Sequence, residues 1–501
     1  MEAERPRGTA TTNGAHTGSR RFAFDVGWVL VADAVGMALA FAVQPLLARA
    51  LGATGYGLLS LALTVSGLSL LLANFGLGQA IVKFAADTTQ SFEAAKRDAS
   101  SALLASLAFA IVTALAVLLW RFRIAALLDM PELASLLAIL ALSLPFASVY
   151  ASVLGILNGQ RRMRKYASLG VGHRVVNAVF LLTLIALGFG IRGALVGVVA
   201  TELVLCTAGL YLIRDWLAIR ISGCMAAARR LIRFSVFMFG CNAVNAVLNY
   251  TDILMVGFFL TAEDVGHYGA AIAISAVFPK IPGAVQRITY PTASTHHAEG
   301  NLHALAEMTR TSMKYSACIL LPIGLATVLF ADDIMRLLFG AAFRPAAIPL
   351  AILVAVRVLR GSTVVPSGQV LPAVGRPDIN LRIEVACVAI NVCLNMLLIP
   401  SHGLQGAAMA TATALTIGTL MWLREVRRIA GIEIDLNWYG RALGGAAVVA
   451  LAFYALLPYV QRYLLGSLLS LAFGAYVVRC LLSSQDRRSI SSLARTVLRR
   501  S

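Results

Sequence analysis

The sequence predicts an all-α integral membrane protein of about fourteen transmembrane helices, laid out as two six-helix repeats plus two further helices. Three observations predict it. The 501 residues are 59% hydrophobic and only 13% charged, where a soluble chain carries about 25% charged residues. Apolar runs of about 20 residues recur from end to end. The basic residues gather on alternate loops. The shortage of charge is spread over the whole chain, which excludes a soluble domain with one anchor. A formal net charge of +18 would suggest nucleic acid in a soluble protein. Here the charge sits in short loops between apolar spans, so it belongs to topology, and no nucleic-acid partner is expected.

The elements follow in order. Residues 1–24 are polar and read as a disordered cytoplasmic lead, not a cleaved signal peptide, because the span after it is too long. An N-lobe over 25–216 holds six spans, near 26–48, 58–80, 100–120, 133–156, 168–190 and 193–213. An inner interfacial linker covers 217–234. A C-lobe over 235–430 holds six more, near 235–260, 265–290, 314–338, 346–370, 381–400 and 403–423. Two extra helices, near 441–460 and 463–482, fill 431–483. The tail 484–501 places Ile490, Leu493, Val497 and Leu498 at helical spacing among Arg487, Arg488, Arg495, Arg499 and Arg500. It reads as a basic amphipathic helix on an anionic inner leaflet, or as a disordered basic tail.

The charge test supports this layout. With both termini in the cytoplasm, the inner loops and tails hold about 30 Lys and Arg, the outer loops about 7 and the spans about 5. One missed helix would invert every later loop and spoil the asymmetry.

The chain also repeats itself. Gly55-Tyr56-Gly57 returns as Tyr268-Gly269, Gly159-Gln160 as Gly368-Gln369, and Gly190-Ile191-Arg192-Gly193-Ala194 as Gly403-Leu404-Gln405-Gly406-Ala407. The shift is about 210 residues each time, or six helices. Six is even, so the two halves run in the same sense about an axis along the membrane normal. A transporter built this way carries its substrate site where the halves meet.

Two runs then carry a family resemblance. Ala48-Arg49-Ala50-Leu51-Gly52-Ala53-Thr54-Gly55-Tyr56-Gly57, followed by Asn74-Phe75-Gly76-Leu77-Gly78-Gln79-Ala80, resembles the first helix pair of polysaccharide-type flippases. Their superfamily, the multidrug/oligosaccharidyl-lipid/polysaccharide exporters, also holds multidrug antiporters of the MATE type and lipid II flippases. Asn158-Gly159-Gln160 resembles its inner loop after the fourth helix, and Leu397-Leu398-Ile399-Pro400 with Gly403–Ala408 its eleventh-to-twelfth turn. The resemblance covers roughly residues 25 to 430. These glycines mark turns and close helix contacts, and say little about substrate. The resemblance implies a MATE-like, V-shaped transporter that carries a lipid-linked oligosaccharide, usually on undecaprenyl pyrophosphate, from the inner to the outer leaflet of the plasma membrane. It implies a non-enzymatic monomer feeding O-antigen, capsule or exopolysaccharide assembly, with a polysaccharide polymerase and glycosyltransferases as partners.

Ionisable side chains in hydrocarbon cost several kcal/mol, so each is a candidate. The basic set is Arg174, Lys280, Arg287, Arg357 and Arg360. Lys280 and Arg287 share a helix face, as do Arg357 and Arg360. If the faces converge they form a cationic cavity, in which Arg could hold pyrophosphate oxygens in bidentate fashion. Snorkelling to the inner interface is the other reading, above all for Arg174 and Arg287.

The acidic set is Asp33, Glu202, Asp252 and Glu384. Asn242, Asn245, Asn249 and Asp252 form one stripe, and Glu384, Asn391 and Asn395 another. Asp33 and Gln44 share a face of the first helix. These groups line the cavity or bond across helices as glue. The acids either neutralise the arginines or bind a coupling proton or sodium ion, with Asp33 and Asp252 the leading candidates. No catalytic triad, metal cluster or cofactor motif is expected, and the seven cysteines read as small hydrophobes. A cation-coupled drug exporter of the MATE type is the alternative. A glycosyltransferase or O-antigen polymerase would need a large outer loop, and a scaffold would not need the arginines.

Overall fold

The computed structural model describes residues 13–86, 92–217, 224–368, 370–433 and 435–481. Within these, side chains are left undescribed for 13–34, 40, 84, 92, 94–95, 224–234, 237, 241, 287–288, 291 and 480–481. The proposed amphipathic tail and the start of the lead therefore lie outside the described residues.

The described chain is helical throughout. It runs α1 (Asn13–Asn74), α2 (Leu77–Ala85), α3 (Phe92–Leu127), α4 (Glu132–Ala141), α5 (Ser143–Gly159), α6 (Met163–Ala186) and α7 (Gly190–Leu212). It continues through α8 (Cys224–Phe259), α9 (Ala262–Ser275), α10 (Lys280–Ala298), α11 (Leu302–Leu329), α12 (Ala331–Leu338) and α13 (Ala347–Ser362). It ends with α14 (Val364–Ser367), α15 (Val370–Ala373), α16 (Pro377–Ala430), α17 (Leu436–Leu456) and α18 (Arg462–Tyr476). Among the described residues, eight helices are long and apolar enough to cross a membrane, or ten if each bent pair is one span. The protein is thus an all-α, multi-pass membrane protein.

Two of those helices are far longer than one crossing. At 1.5 Å per residue, the 62 residues of α1 would extend about 90 Å, three times the roughly 30 Å hydrocarbon core. Each is kinked by a glycine: Gly52 in α1, at φ 71°, and Gly403 in α16, at φ 56°. The repeat motif explains the second kink. Gly190 opens α7 at φ 57°, so the first glycine of both copies holds a positive φ, which L side chains rarely adopt. The fourth residue of each copy serves close approach. A Cβ on Gly406 would collide with the Leu398 carbonyl, and one on Gly193 with Phe189.

Three spans expected to be continuous are broken, which corrects the reading of 133–156, 265–290 and 346–370. Each break falls four residues before a proline. α4 stops at Ala141 before Pro145, α9 at Ser275 before Pro279, and α13 at Ser362 before Pro366. The first two pairs are bent by 42° and 40°. A proline removes one N–H and its ring clashes with the carbonyl four residues back. A neighbour covers the carbonyl that Pro366 frees, and local hydroxyls cover other carbonyls beside the breaks. Ser143 Oγ donates to Leu140 O at 2.7 Å, Thr363 Oγ1 to Leu359 O at 2.7 Å, and Tyr439 Oη to Ser362 O at 2.8 Å. Pro322 instead lies inside the continuous α11, while Pro45 and Pro400 stand seven and three residues before the glycine kinks of α1 and α16.

The chain forms two compact units. The first is built from residues up to Val43, Ser69–Val117 and Ile139–Phe239. Its core packs Leu77 and Ile81 of α2 against Val149, Val153 and Ile156 of α5 and Leu205 of α7. The second is built from Gln44–Leu68, Leu118–Ala138 and residues from Gly240 onward. Ile379, Ile383, Trp422 and Val426 pack across the two halves of α16 within it. In the same unit, Arg49 Nε donates to Leu338 O at 2.8 Å, and its Nη2 donates to Leu337 O, at the end of α12. Beyond the Gly52 kink, the Tyr56 ring packs edge-on against Phe339 and Phe343.

Candidate functional site

The densest buried polar cluster of the second unit centres on Asp252 in α8. Its side chain is buried, at 7% exposure. Oδ1 accepts from Asn391 Nδ2 at 3.0 Å and Asn395 Nδ2 at 2.9 Å, both on α16. Oδ2 accepts from Thr411 Oγ1, beyond the Gly403 kink, at 2.6 Å, and from Tyr268 Oη of α9 at 3.3 Å. Four donors thus meet a group with about four lone-pair sites. Asn391 and Asn395 spend their remaining amide hydrogens within the cluster, on Thr411 Oγ1 at 3.2 Å and Asn391 Oδ1 at 3.1 Å. Asn395 Oδ1 is buried with no hydrogen-bond partner among the described residues.

Helix periodicity assembles this cluster. Asn391 and Asn395 are four apart and so lie on one face. The Gly403 kink then returns the chain, so Thr411 comes back beside them. Arg357 of α13 lies within electrostatic reach of Asp252 and Tyr268. Its Nε is buried and has no hydrogen-bond partner among the described residues. A desolvated guanidinium N–H without an acceptor is costly, which makes it a place where an anionic oxygen would be favoured.

Arg360, one turn on, does not stand with Arg357 as a free cation. It forms an ion pair with Glu384 of α16, Nη2 to Oε1 at 3.1 Å, with both side chains about a quarter exposed. Lys280 is exposed at the first residue of α10, right after the break at Ser275. Asn242 is partly buried, while Asn245 and Asn249 are exposed, and Asn249 Nδ2 donates back to Asn245 O at 2.7 Å. The expected stripe on α8 therefore divides, with only Asp252 entering the core. The side chains of Arg287 and Asp33 lie outside the described residues.

In the first unit, Arg174 of α6 is exposed, and its guanidinium fills the space a Cβ on Gly36 would need. Glu202 of α7 meets His173 of α6, with Nε2 to Oε1 at 2.9 Å. Sequence reading missed His173, Thr411 and Tyr268. His173 carried a signal, being a titratable residue inside an apolar span. Tyr268 stood out only as the repeat counterpart of Tyr56, and Thr411 carried no signal that sets it apart from ordinary helix-packing residues.

These arrangements accompany clear similarities to known proteins. Residues 46–348 match the family described as "Polysaccharide biosynthesis protein". A Haloferax volcanii protein named "Probable low-salt glycan biosynthesis flippase Agl15" is 25% identical over 424 residues, covering 84% of this chain and 87% of that protein. "Probable flippase AglR" of the same organism is 25% identical over 311 residues, 61% of this chain and 64% of its own length. The Rhizobium meliloti "Succinoglycan biosynthesis transport protein ExoT" is 27% identical over 63% of this chain and 62% of its own. Among solved structures, the lipid II flippase MurJ in an inward closed conformation superposes with a TM-score of 0.75 at 15% identity, covering 91% of this chain and 99% of that one. An inward-facing MATE family multidrug transporter of the MOP superfamily gives 0.61 at 16% identity, over 81% and 98%. At these identities the structural likeness speaks for the fold, which is that of the MurJ and MATE transporters.

Proposed function

This chain belongs to the family of polysaccharide biosynthesis proteins, and from that membership we propose that it is a flippase for a lipid-linked oligosaccharide. The observation that carries the reading is the match over residues 46–348, joined to a relative named as a glycan biosynthesis flippase that aligns over 87% of its length. The substrate is an oligosaccharide on a polyprenyl pyrophosphate of the undecaprenyl class, moved from the inner to the outer leaflet of the plasma membrane. Fourteen crossings with both termini in the cytoplasm match the charge asymmetry of the loops. The six-helix lobes over 25–216 and 235–430 alternate access to the substrate.

Arg357 is the leading pyrophosphate ligand in this reading, because its buried Nε lacks an acceptor and guanidinium grips phosphate oxygens in pairs. Arg360, Arg287, Lys280 and Arg174 supply further positive charge along the path, and Asn242, Asn245 and Asn249 offer amides to sugar hydroxyls. Glu384 is a charge partner for Arg360. Asp252 is the acid of the second unit for a coupling cation, which would have to take the place of donors now held on it by Asn391, Asn395, Thr411 and Tyr268, and Asp33 is a second acid for that role. The polymerase and glycosyltransferases that use the product are the natural partners.

Transport into the outer leaflet of proteoliposomes, followed by lectin access to a lipid-pyrophosphate oligosaccharide, tests the reading. The expected result is transport by the wild-type protein and at least a tenfold loss, about 1.4 kcal/mol, in Arg357→Ala. Absence of oligosaccharide transport, together with cation-driven efflux of an organic cation, would instead establish the MATE-type exporter.

A further inference from the structure

The His173–Glu202 pair is not used by the pathway just described. Each residue sits near the middle of its own helix. His173 lies ten residues into α6 and Glu202 twelve into α7, about 15–18 Å from the helix start at 1.5 Å per residue. Both are therefore deep in hydrocarbon from either side, where an ionisable group is a functional candidate by default.

The pair is built, not incidental. His173 Nε2 and Glu202 Oε1 are 2.9 Å apart, with side chains 28% and 13% exposed. The Tyr150 ring of α5 stacks on the imidazole, with centroids 5.1 Å apart and planes 20° from parallel. Tyr150 Oη is committed elsewhere, donating to Leu169 O at 3.0 Å. Glu202 Oε2 is buried and accepts no hydrogen bond among the described residues. The carboxylate thus has one oxygen on histidine and one with no donor.

The titratable and charged neighbours come from three helices. Tyr150 belongs to α5, Tyr166 and Arg174 to α6, and Cys206 to α7, where Glu202 acts on it. On α1, Gly36 lies against the Arg174 guanidinium, and the side chains before Val35 lie outside the described residues.

We propose that His173 and Glu202 together form a proton-binding site that loads and releases one proton during the transport cycle. Without the proton, the pair is imidazole beside carboxylate, with net charge −1. With it, the pair is imidazolium beside carboxylate, or imidazole beside carboxylic acid, with net charge zero. Histidine is the side chain whose ordinary pKa falls in the physiological range. Loading the proton removes a net charge from hydrocarbon. The unloaded state needs a compensating cation, and Arg174 is the guanidinium at hand. The site lies in the first unit, whereas the Asp252 cluster lies in the second. The coupling role rests on the flippase reading; the proton site does not.

The test reads protonation directly. Protein carrying ¹⁵N-labelled histidine is reconstituted in liposomes, and the imidazole nitrogen signals are followed by solid-state NMR from pH 4 to 9. The signal missing in His173→Gln identifies His173. The expected result is one titration step for His173 within this range, displaced in Glu202→Gln, which keeps a hydrogen-bonding oxygen of the same shape. A His173 signal that does not titrate, or that titrates identically in Glu202→Gln, overturns the proposal. Tyr150→Phe, which keeps the stacked ring, serves as the folding control and should leave the titration in place. A second arm measures oligosaccharide transport with and without an imposed pH gradient. Transport that ignores the gradient, in a protein whose His173 titrates, overturns the coupling role and leaves the flippase reading standing. Titration without any transport supports the site and removes the flippase reading.

Discussion

Arg360 of α13 and Glu384 of α16 neutralise each other across 3.1 Å, while Arg357, three residues earlier on the same face, keeps a buried Nε with no acceptor among the described residues. The two arginines are therefore different instruments. A double-mutant cycle separates them. Arg360→Met and Glu384→Met should each lower stability, and the double variant should recover part of the loss. The coupling should be about 1 kcal/mol, reduced from the value for fully buried pairs by partial exposure. Thermal unfolding in detergent measures it. Arg357→Met should show no coupling to Glu384→Met.

The Asp252 cluster should be sensitive to each donor. Thr411→Val removes the 2.6 Å hydroxyl donor without changing shape and should lower stability by about 1–2 kcal/mol. Asp252→Ala leaves both amides and both hydroxyls without their shared acceptor, and should cost more, about 3–5 kcal/mol. Equal melting temperatures for the two variants would show that the carboxylate does not organise the cluster.

Tyr439→Phe should expose the carbonyl that Pro366 frees. Its hydroxyl donates to Ser362 O at 2.8 Å, so the loss is about 1–3 kcal/mol for an unsatisfied buried acceptor. In a Pro366→Ala background, the new N–H can donate to Ser362 O, and the same substitution should then have little effect. Chemical denaturation of the four proteins decides it.

Gly403→Ala and Gly406→Ala should differ in kind. The first forces an L side chain to φ 56° and ψ −134°, a region nearly confined to glycine, at about 1–3 kcal/mol. The second drives a methyl group into the Leu398 carbonyl and must move backbone, so folded protein recovered from membranes should fall further. Gly190→Ala should resemble Gly403→Ala, since both positions hold a positive φ.

The architecture was legible because membrane physics leaves few options. Charge scarcity, span length and loop asymmetry together give an all-helical multi-pass chain, and the family resemblance is borne out by the match over residues 46–348. The breaks were also written in the sequence, at Pro145, Pro279 and Pro366, but a hydropathy window averages over them. Partner choice was less legible. Helical spacing placed Arg357 with Arg360 and Asp252 with three asparagines, because a one-dimensional pattern reports shared faces within a helix. It cannot report that Glu384 claims Arg360, or that Thr411 reaches Asp252 through the return at Gly403. His173 was overlooked because a neutral histidine does not register as an intramembrane charge.

The contacts of Arg49 and Tyr56 act on α1 as a splint. Arg49 lies before the Gly52 knuckle and is tied to the end of α12, while Tyr56 lies after it and leans on Phe339 and Phe343. Both sides of the joint are thus fastened to one short stretch of chain. Straightening the joint means breaking a cationic hydrogen bond of about 1.5–3 kcal/mol on one side, or an aromatic contact of about 0.5–1.5 kcal/mol on the other. The bend at Gly52, though made by the most pliant residue in the chain, is held from outside, by the end of α12 and the two rings that follow it.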